Sequence, residues 1–321
     1  MQDWWKATFP KGRQTLTITD ANGYPVSIAY GEKGTGKPLF LIHGIGSWSY
    51  NWRHSVETLA QYFRVICFDA KGYGFSEKPL YREKKGHQII EIKQIISALS
   101  DEPAVVVAES LGALTSLAVA QEYPELIARL VVVNVPIFPE RLPHWGMLLL
   151  SHMPLELIQT IDYARLVYLL APLVREMMAI ERRAVLFDAS VLTQEDMYWI
   201  SYPFIEFPGT VTKVAEDLQI AAREIEHLQE NKPNLISKIQ NNLGAIKCPT
   251  LILWGEQDSW YPCSDGEKLR SRIPVSSLEI IPNCGHDASS GCPEAVNAAI
   301  LKFLRDTDFL TATDLSQKRA L

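Results

Sequence analysis

A short apolar run that ends in a serine between small residues constrains this chain more than any other feature. Residues 104–108 read Ala-Val-Val-Val-Ala, which is typical of a strand buried on both faces. Residues 111–122 then show the apolar spacing of a helix. With no loop between strand and helix, Ser110 must lie on a strained turn, and Ala108 and Gly112 are small enough for the two backbones to pass. The sequence therefore predicts a strand, a sharp turn at the serine and a helix.

Eight segments have the apolar, β-branched composition of strands, and helical patterns separate most of them. The first two flank Asn22-Gly23, a dipeptide that favours a tight hairpin, so we expect them to form an antiparallel edge. The other six are continuous apolar runs, as in parallel strands that helices cover on both faces. The predicted strands are residues 16–19, 26–30, 38–43, 64–69, 104–109, 130–135, 250–254 and 277–282.

The strand pattern stops between residues 136 and 246, where the chain is apolar with helical spacing. This segment is too long and too apolar for a loop, so we expect a helical cap over one edge of the sheet. The expected helices cover residues 147–150, 155–170, 173–186, 194–199 and 211–228. The expected organisation is a first part of the core at residues 1–136, the cap at 137–245, a second part of the core at 246–306 and a polar C-terminal tail at 307–321.

Charge and cysteine content narrow the functional class. A formal net charge of -6 gives no electrostatic reason to expect nucleic-acid binding. Five cysteines without a C-x-x-C pair fit a reducing compartment better than a disulfide framework. The first residues lack the apolar segment of a signal peptide, and no apolar stretch reaches the roughly 18 residues that could span a bilayer. We therefore expect a cytoplasmic protein with free thiols and without stable membrane insertion.

Three further segments supply the chemistry that a serine on a sharp turn needs. Residues 43–46 read His-Gly-Ile-Gly after a predicted strand, and the glycines let backbone N–H groups approach a ligand. Asp258 and His286 each follow a predicted strand, where side chains of open α/β sheets face the crevice at the carboxyl edge. We expect His43 to support the glycine loop by buried hydrogen bonds rather than to act as a second base. The chain order Ser, Asp, His then indicates nucleophilic catalysis.

Other acids and a late cysteine cluster are the competing interpretations of this region. The rival acids near the same strand ends are Asp69, Glu256 and Asp287. Four residues late in the chain could suggest zinc, namely Cys263, Cys284, His286 and Cys292. Their spacing matches no standard zinc motif, and a histidine that binds metal could not act as a base. We therefore expect neither a metal nor an organic cofactor.

Together these segments resemble the α/β-hydrolase superfamily from about residue 16 to residue 304. The matched pieces are residues 43–46, 69–76, the turn at Ser110, residues 254–258 and Gly285-His286. The resemblance implies an eight-stranded, mostly parallel sheet with a helical cap inserted after strand six, here the predicted strand 130–135. It also implies that Ser110 is the nucleophile, His286 the base and Asp258 the acid. The N–H groups of Ile45 and Leu111 would form the oxyanion hole. The turn departs from the usual family pattern at Ala108, where the family has glycine.

The implied reaction is acyl transfer through an acyl-enzyme intermediate, and the many apolar side chains of the cap indicate a small, hydrophobic carboxylic ester as substrate. A serine nucleophile argues against the epoxide hydrolase and haloalkane dehalogenase branches, which need a carboxylate at that position. Two alternatives stay open: carbon–carbon bond hydrolysis or lyase-like chemistry with the same residues, and ligand sensing without turnover. The expected pocket residues are Gly44, Trp48, Glu109, Trp145 and Trp199.

Residues 145–150 form an unusually apolar segment of the expected cap. We expect a buried cap helix here, with peripheral contact with a membrane surface as the alternative. The sequence leaves the oligomeric state open.

Overall fold

The computed structural model describes residues 2–310, and a sheet of eight strands forms the centre of the molecule. The strands run in the order β1-β2-β4-β3-β5-β6-β7-β8 across the sheet. The β1–β2 and β2–β4 pairs are antiparallel and all others are parallel. The eight-stranded, mostly parallel sheet predicted from the sequence is thus confirmed. The strands are β1 (Gln14–Thr19), β2 (Pro25–Lys33), β3 (Pro38–Ile42), β4 (Arg64–Phe68), β5 (Ala104–Glu109), β6 (Ile127–Val133), β7 (Thr250–Gly255) and β8 (Ser276–Ile281).

Helices lie on both faces of the sheet and in a layer above it. The helices of the core are α1 (Trp4–Thr8), α2 (Val56–Leu59), α3 (His87–Leu99), α4 (Leu111–Glu122), α12 (Ser264–Arg270), α13 (Ala288–Gly291) and α14 (Pro293–Asp306). The helices between β6 and β7 are α5 (Trp145–His152), α6 (Leu155–Tyr163), α7 (Leu166–Leu169), α8 (Ala171–Val185), α9 (Gln194–Glu206), α10 (Thr210–Gln229) and α11 (Leu235–Asn241).

Strand β5 lies in the middle of the sheet and explains the continuous apolar run that carries the serine. Every residue of β5 is buried. Because side chains alternate along a strand, Val106 and Ala108 join the apolar cluster with α3 and α4, whereas Val105 and Val107 join the cluster with α2 and α14. A strand between two layers of helices needs apolar residues at every position, so no alternating pattern is visible.

The long insertion after β6 is a helical cap, as predicted from the sequence. Its helices differ in detail from the sequence pattern. Residues 155–170 were expected to form one helix, but α6 ends at Tyr163 and α7 begins at Leu166. Arg165 between them has a φ of 57°, a left-handed conformation that interrupts a right-handed helix. The expected domain boundaries at residues 136 and 245 stay a prediction.

A buried network of charges attaches cap helix α10 to the core. The Lys71 ammonium contacts the carboxylates of Asp20, Glu83 and Glu91 at 2.7, 2.7 and 2.6 Å. Burial opposes its charge, but the three carboxylates outweigh burial and raise the pKa of Lys71. Lys213 of α10 contacts the other oxygen of Glu83 at 2.9 Å. The same glutamate therefore joins a core lysine to a cap lysine and fixes the position of α10.

The apolar segment 145–150 behaves differently from the expectation of a buried helix. Helix α5 has no buried residue, and Trp145 is 62% exposed. The expectation was wrong because α5 packs on α10 at the outside of the cap, and nothing within residues 2–310 covers its outer face. In residues 2–310, no helix is long and apolar enough to cross a membrane.

The predicted C-terminal tail is described only in part. Leu310 is buried in the core, and the Phe309 ring packs against Phe63 with a centroid distance of 6.4 Å. Residues 307–310 are therefore packed on the body of the protein, and the remainder of the predicted tail, residues 311–321, lies outside the described residues.

Candidate active site

Ser110 stands on a tight turn between β5 and α4. Its φ of 53° and ψ of -123° are a strained conformation for a residue with a side chain. A side-chain carbon on Gly44 would lie 2.9 Å from the Cβ of Ser110, and one on Gly112 would lie 2.4 Å from the carbonyl oxygen of His43. Both glycines are needed because the loop after β3 packs directly against the turn. The sharp turn predicted from the sequence is present in the structure.

Ser110, His286 and Asp258 form a continuous chain of hydrogen bonds. The Oγ of Ser110 lies 3.0 Å from Nε2 of His286, and Nδ1 of His286 lies 2.8 Å from Oδ2 of Asp258. The backbone N–H groups of Trp260 and Tyr261 donate to Oδ1 of Asp258 at 2.8 and 3.1 Å. These two bonds orient the carboxylate so that its other oxygen faces the imidazole. The structure thus brings together the three residues chosen from widely separated parts of the sequence.

The rival acids have other partners. Asp69 is fully buried and accepts hydrogen bonds from Ser49 and Phe75, and burial raises the pKa of its carboxyl to about 6. Glu256 is exposed and accepts a bond from the side chain of its neighbour Gln257. Asp287 contacts Arg182 of cap helix α8 at 2.8 Å, and this ion pair connects the cap to the residue after His286. Among the candidate acids, Asp258 is the one bonded to the imidazole.

His43 supports the glycine loop. Its Nε2 accepts a hydrogen bond from the N–H of Ala70 at 3.0 Å, which leaves Nδ1 to donate to the carbonyl oxygen of Gly44 at 2.8 Å. Burial lowers the pKa of His43 to about 4, so the ring stays neutral at pH 7. The neutral ring joins the end of β3 to the loop after β4, the supporting role expected from the sequence.

The proposed oxyanion donors lie on either side of Ser110. Leu111 is the first residue of α4, where backbone N–H groups have no acceptor within the helix and the helix dipole favours a negative charge. Ile45 follows Gly44 in the loop that packs on the serine, and it lines the cavity above it. Both are positioned by the contact between the β3 loop and the turn.

A cavity of about 350 Å³ opens between Ser110 and the cap. Three of the expected pocket residues, Gly44, Glu109 and Trp145, line it together with Ser110 and His286. A second cavity of about 110 Å³ shares Ser110, Ile45 and Trp260 with the first and extends along α4. The serine therefore stands where a larger and a smaller apolar space meet.

Trp48 and Trp199 were expected in the pocket, but neither lines these cavities. They lie in a cluster of aromatic rings beneath the cap, with centroids 6.2 Å apart, and the indole N–H of Trp48 donates to the carbonyl oxygen of Trp199 at 3.0 Å. Sequence position near the glycine loop was misleading here, because the chain turns into the core directly after that loop. These two residues hold α9 of the cap on the core instead of contacting a ligand.

Glu109 is held in a buried polar pocket beside the serine. Its Oε2 accepts hydrogen bonds from Nδ2 of Asn51 at 2.5 Å and from Oγ of Ser289 at 2.6 Å, and its Oε1 accepts one from the N–H of Ser289 at 3.1 Å. Burial, reinforced by the charge of Asp287, raises the pKa of Glu109 to about 7, although the bonds from Ser289 and the charge of His286 oppose this. The carboxyl therefore changes its charge near neutral pH.

Sequence reasoning did not select Asn134, which connects three elements of the site. Its Nδ2 donates to the carbonyl oxygens of Gly285 and His286 at 3.1 and 2.6 Å, and its Oδ1 accepts the N–H of Gly255 at 2.8 Å. Its φ of 46° aims the side chain across the ends of β7 and β8. The sequence feature that could have identified Asn134 is its position as a polar residue directly after the apolar run of strand β6, at the carboxyl edge of the sheet.

The charged network under α10 contains three side chains with the geometry of a metal site. Glu83, His87 and Glu91 place three donor atoms within 4.8 Å of one another. However, the ammonium of Lys71 already contacts both glutamates, and a fixed positive charge there repels a cation. The chemistry of this cluster fits ion pairing rather than metal binding.

Comparison with known proteins identifies relatives over most of the chain. A family model described as alpha/beta hydrolase fold matches residues 37–290. The 2-hydroxy-6-oxo-6-phenylhexa-2,4-dienoate hydrolase of Burkholderia cepacia is 27% identical over 300 residues, 90% of this chain and 95% of that protein. Epoxide hydrolase 4 of Mus musculus is 28% identical over 296 residues, 87% of this chain and 76% of that protein. A solved meta-cleavage product hydrolase from Pseudomonas fluorescens matches with a TM-score of 0.69 at 22% identity, over 91% of this chain and 98% of that one.

Proposed function

This chain belongs to the alpha/beta hydrolase fold family and is a hydrolase, and we propose that it cleaves hydrophobic carboxylic esters through an acyl-enzyme intermediate. The observation that carries the proposal is the hydrogen-bonded chain from Ser110 through His286 to Asp258, with distances of 3.0 and 2.8 Å. A serine hydroxyl becomes a strong nucleophile when an oriented imidazole accepts its proton.

In the proposed acylation step, Ser110 Oγ attacks the ester carbonyl while His286 Nε2 takes the hydroxyl proton. Asp258 holds the imidazole with Nδ1 protonated and stabilises its positive form. The imidazolium then donates its proton to the alcohol oxygen, and the carbon–oxygen bond breaks. The same imidazole then takes a proton from water, and the hydroxide formed attacks the acyl carbonyl. The bond between the acyl carbon and Oγ of Ser110 breaks, the imidazolium returns its proton to Oγ, and the carboxylic acid leaves.

The backbone N–H groups of Ile45 and Leu111 are the proposed donors that stabilise the negative charge developing on the carbonyl oxygen. An oxyanion donor of this kind stabilises the transition state by roughly 3 kcal/mol. The close packing of Gly44 on Ser110 supports this assignment, because it brings the glycine loop within reach of a carbonyl bound to Oγ.

Two apolar spaces that meet at Ser110 support an ester with an apolar group on each side of the scissile bond. The larger, about 350 Å³, lies within the range of small-molecule sites, and the smaller is about 110 Å³. Epoxide hydrolysis with an ester intermediate does not fit this site, because that chemistry needs a carboxylate where Ser110 stands.

Hydrolysis of a carbon–carbon bond is the second candidate. It is favoured by the relative from Burkholderia cepacia, whose name gives a dienoate hydrolase and which aligns over nearly its whole length. The same three side chains would serve this reaction, since it also requires a polarised carbonyl and proton transfer at the scissile bond. The alternatives therefore differ in the substrate and not in the residues.

The test is labelling with a fluorophosphonate probe followed by a substrate panel. We expect mass spectrometry to place the probe on Ser110, and p-nitrophenyl esters of graded acyl length to be cleaved faster than a β-diketone. Ser110→Ala should abolish both labelling and turnover. Ser116→Ala is the matched control, since its hydroxyl donates to the carbonyl oxygen of Gly112 on the same helix and not to His286.

Each outcome separates the candidates. An adduct on another serine would refute the nucleophile assignment. Faster cleavage of the β-diketone than of any ester would replace ester hydrolysis by carbon–carbon hydrolysis. Labelling without turnover, together with ligand-dependent hydrogen-exchange protection of the cap, would indicate a sensor with this fold.

A further inference from the structure

The outer face of the cap presents an apolar stripe to solvent. Residues at spacings of three and four along α7 and α8 would ordinarily form the buried side of a helix. Here they are between 42% and 71% exposed, and they are Leu166, Leu169, Leu173, Met177 and Ile180. Monomeric proteins rarely expose contiguous apolar patches of this kind without a binding role.

Helix α5 extends the stripe and connects it to the active site. Trp145 and Leu149 are 62% and 54% exposed, and both also line the cavity that reaches Ser110. Helices α5 and α8 are neighbours, since Nδ1 of His144, the residue before α5, lies 3.4 Å from a carboxylate oxygen of Glu181 in α8. Trp145, Leu149 and the five residues of the stripe are called the cap apolar surface below. This surface is therefore continuous with the entrance to the cavity.

Basic side chains accompany the cap apolar surface. Residues 165–187 contain four arginines and two glutamates, in a chain whose net charge is -6. One of the arginines, Arg182, is held by Asp287 of the core at 2.8 Å. The side chains of Arg165 and Arg183 are 45% and 53% exposed, and they lie 3.8 and 3.6 Å from the carboxylates of Glu206 and Glu176. Ion pairs at such exposure are weak, so lipid headgroups can replace these carboxylates. An apolar face with a tryptophan and flanking arginines is the pattern of helices that lie in the interface of an anionic membrane.

We propose that the cap apolar surface docks on an anionic lipid surface and receives apolar substrate from it through the cavity entrance. A lipid surface is preferred to a second copy of the chain for two reasons. A folded partner on this face would cover Trp145 and Met177, which line the entrance to the cavity, whereas a lipid layer supplies apolar molecules at that entrance. The exposed side chains of Arg165 and Arg183 are also complementary to anionic headgroups.

The test is co-sedimentation with large unilamellar vesicles. The wild-type protein is compared on pure phosphatidylcholine and on phosphatidylcholine mixed with phosphatidylglycerol. We expect binding to the mixed vesicles, weaker binding to pure phosphatidylcholine, and weaker binding to both in high salt because screening reduces the attraction of the arginines.

Leu169→Glu combined with Leu173→Glu is the informative variant, because these side chains are exposed and neither lines the cavity. It should lower vesicle partitioning at least about tenfold, since two buried apolar contacts are lost and two negative charges are added. The matched control combines Tyr24→Glu with Val275→Glu, two residues of 55% and 51% exposure near opposite edges of the sheet. The control adds the same charge and should bind as the wild type does.

Arg165→Gln combined with Arg183→Gln keeps the apolar stripe and should weaken binding to the anionic vesicles only. Equal binding of the wild type and the leucine variant would overturn the proposal, as would failure of the wild type to bind the mixed vesicles. A wild-type dimer that the leucine variant dissociates, without vesicle binding, would assign the surface to a second copy. The inference goes beyond the proposed ester hydrolysis, and because binding is measured without turnover, either proposal can fail alone.

Discussion

Replacing Glu109 by glutamine removes a buried carboxyl beside Ser110 while keeping a side chain of the same shape. In the native protein this carboxyl accepts hydrogen bonds from Asn51 and Ser289. A glutamine at this position still offers an amide oxygen to the N–H of Ser289. The main change is therefore the loss of a titrating carboxyl from a buried site.

The effect on stability follows from the raised pKa of Glu109. Burial, with the nearby Asp287 charge, raises this pKa from 4.5 to about 7 in the folded protein. Between these values the folded state holds a proton that the unfolded chain has released, so the free energy of unfolding falls as the pH rises. The penalty is absent below pH 4.5 and complete above about pH 7. At roughly 1.4 kcal/mol for each pH unit between the two values, its full size is about 3 kcal/mol.

Urea unfolding followed by tryptophan fluorescence measures this penalty. Glu109→Gln should differ little from the wild type at acidic pH and be more stable by about 3 kcal/mol at mildly alkaline pH. Glu256→Gln is the control, because it makes the same change at an exposed acid directly after strand β7. If the stability difference between Glu109→Gln and the wild type is the same at both pH values, folding does not raise the pKa of Glu109 and the burial reasoning is refuted.

Two other substitutions test how the site is held together. Asp258→Asn should lower kcat for a p-nitrophenyl ester by about 10⁴-fold, because an amide no longer enforces the productive tautomer of His286; a loss below about tenfold would point to another acid. Asn134→Ala should lower the free energy of unfolding in urea by about 3 kcal/mol, since three buried backbone groups lose their partner. Asn134→Ala should also reduce kcat more than it changes KM, and an unchanged kcat would contradict its role in positioning the His286 loop.

The local sequence was sufficient to predict structural elements whose residues are adjacent in the chain. The strand before Ser110, the turn itself and the helix after it are adjacent in the chain, so small residues and apolar periodicity predict them directly. The position of Asp258 and His286 after predicted strands was equally informative, because parallel strands bring their carboxyl ends to one edge of the sheet.

Contacts between segments that are distant in the sequence could not be predicted, because no local sequence pattern indicates them. Trp48 and Trp199 were predicted in the pocket from their position and aromatic character, yet they pack on each other beneath the cap. Asn51 and Ser289 are ordinary polar residues in sequence, and their importance appears only when the fold brings both to Glu109. The role of a polar side chain depends on its hydrogen-bond partner, and the sequence alone does not show which partner it binds.

The sequence by itself determined the class of the sheet and the turn that holds Ser110, because burial periodicity and backbone sterics act over a few residues. The choice of Asp258 and His286 as its partners came from the resemblance to the α/β-hydrolases. Only the tertiary structure decided which apolar segments are covered. Leu169 and Trp145 have the spacing and composition of core residues, but no layer of the described protein lies over them. Burial depends on what packs against a segment, so the same apolar pattern forms a core in β5 and an exposed surface on the cap.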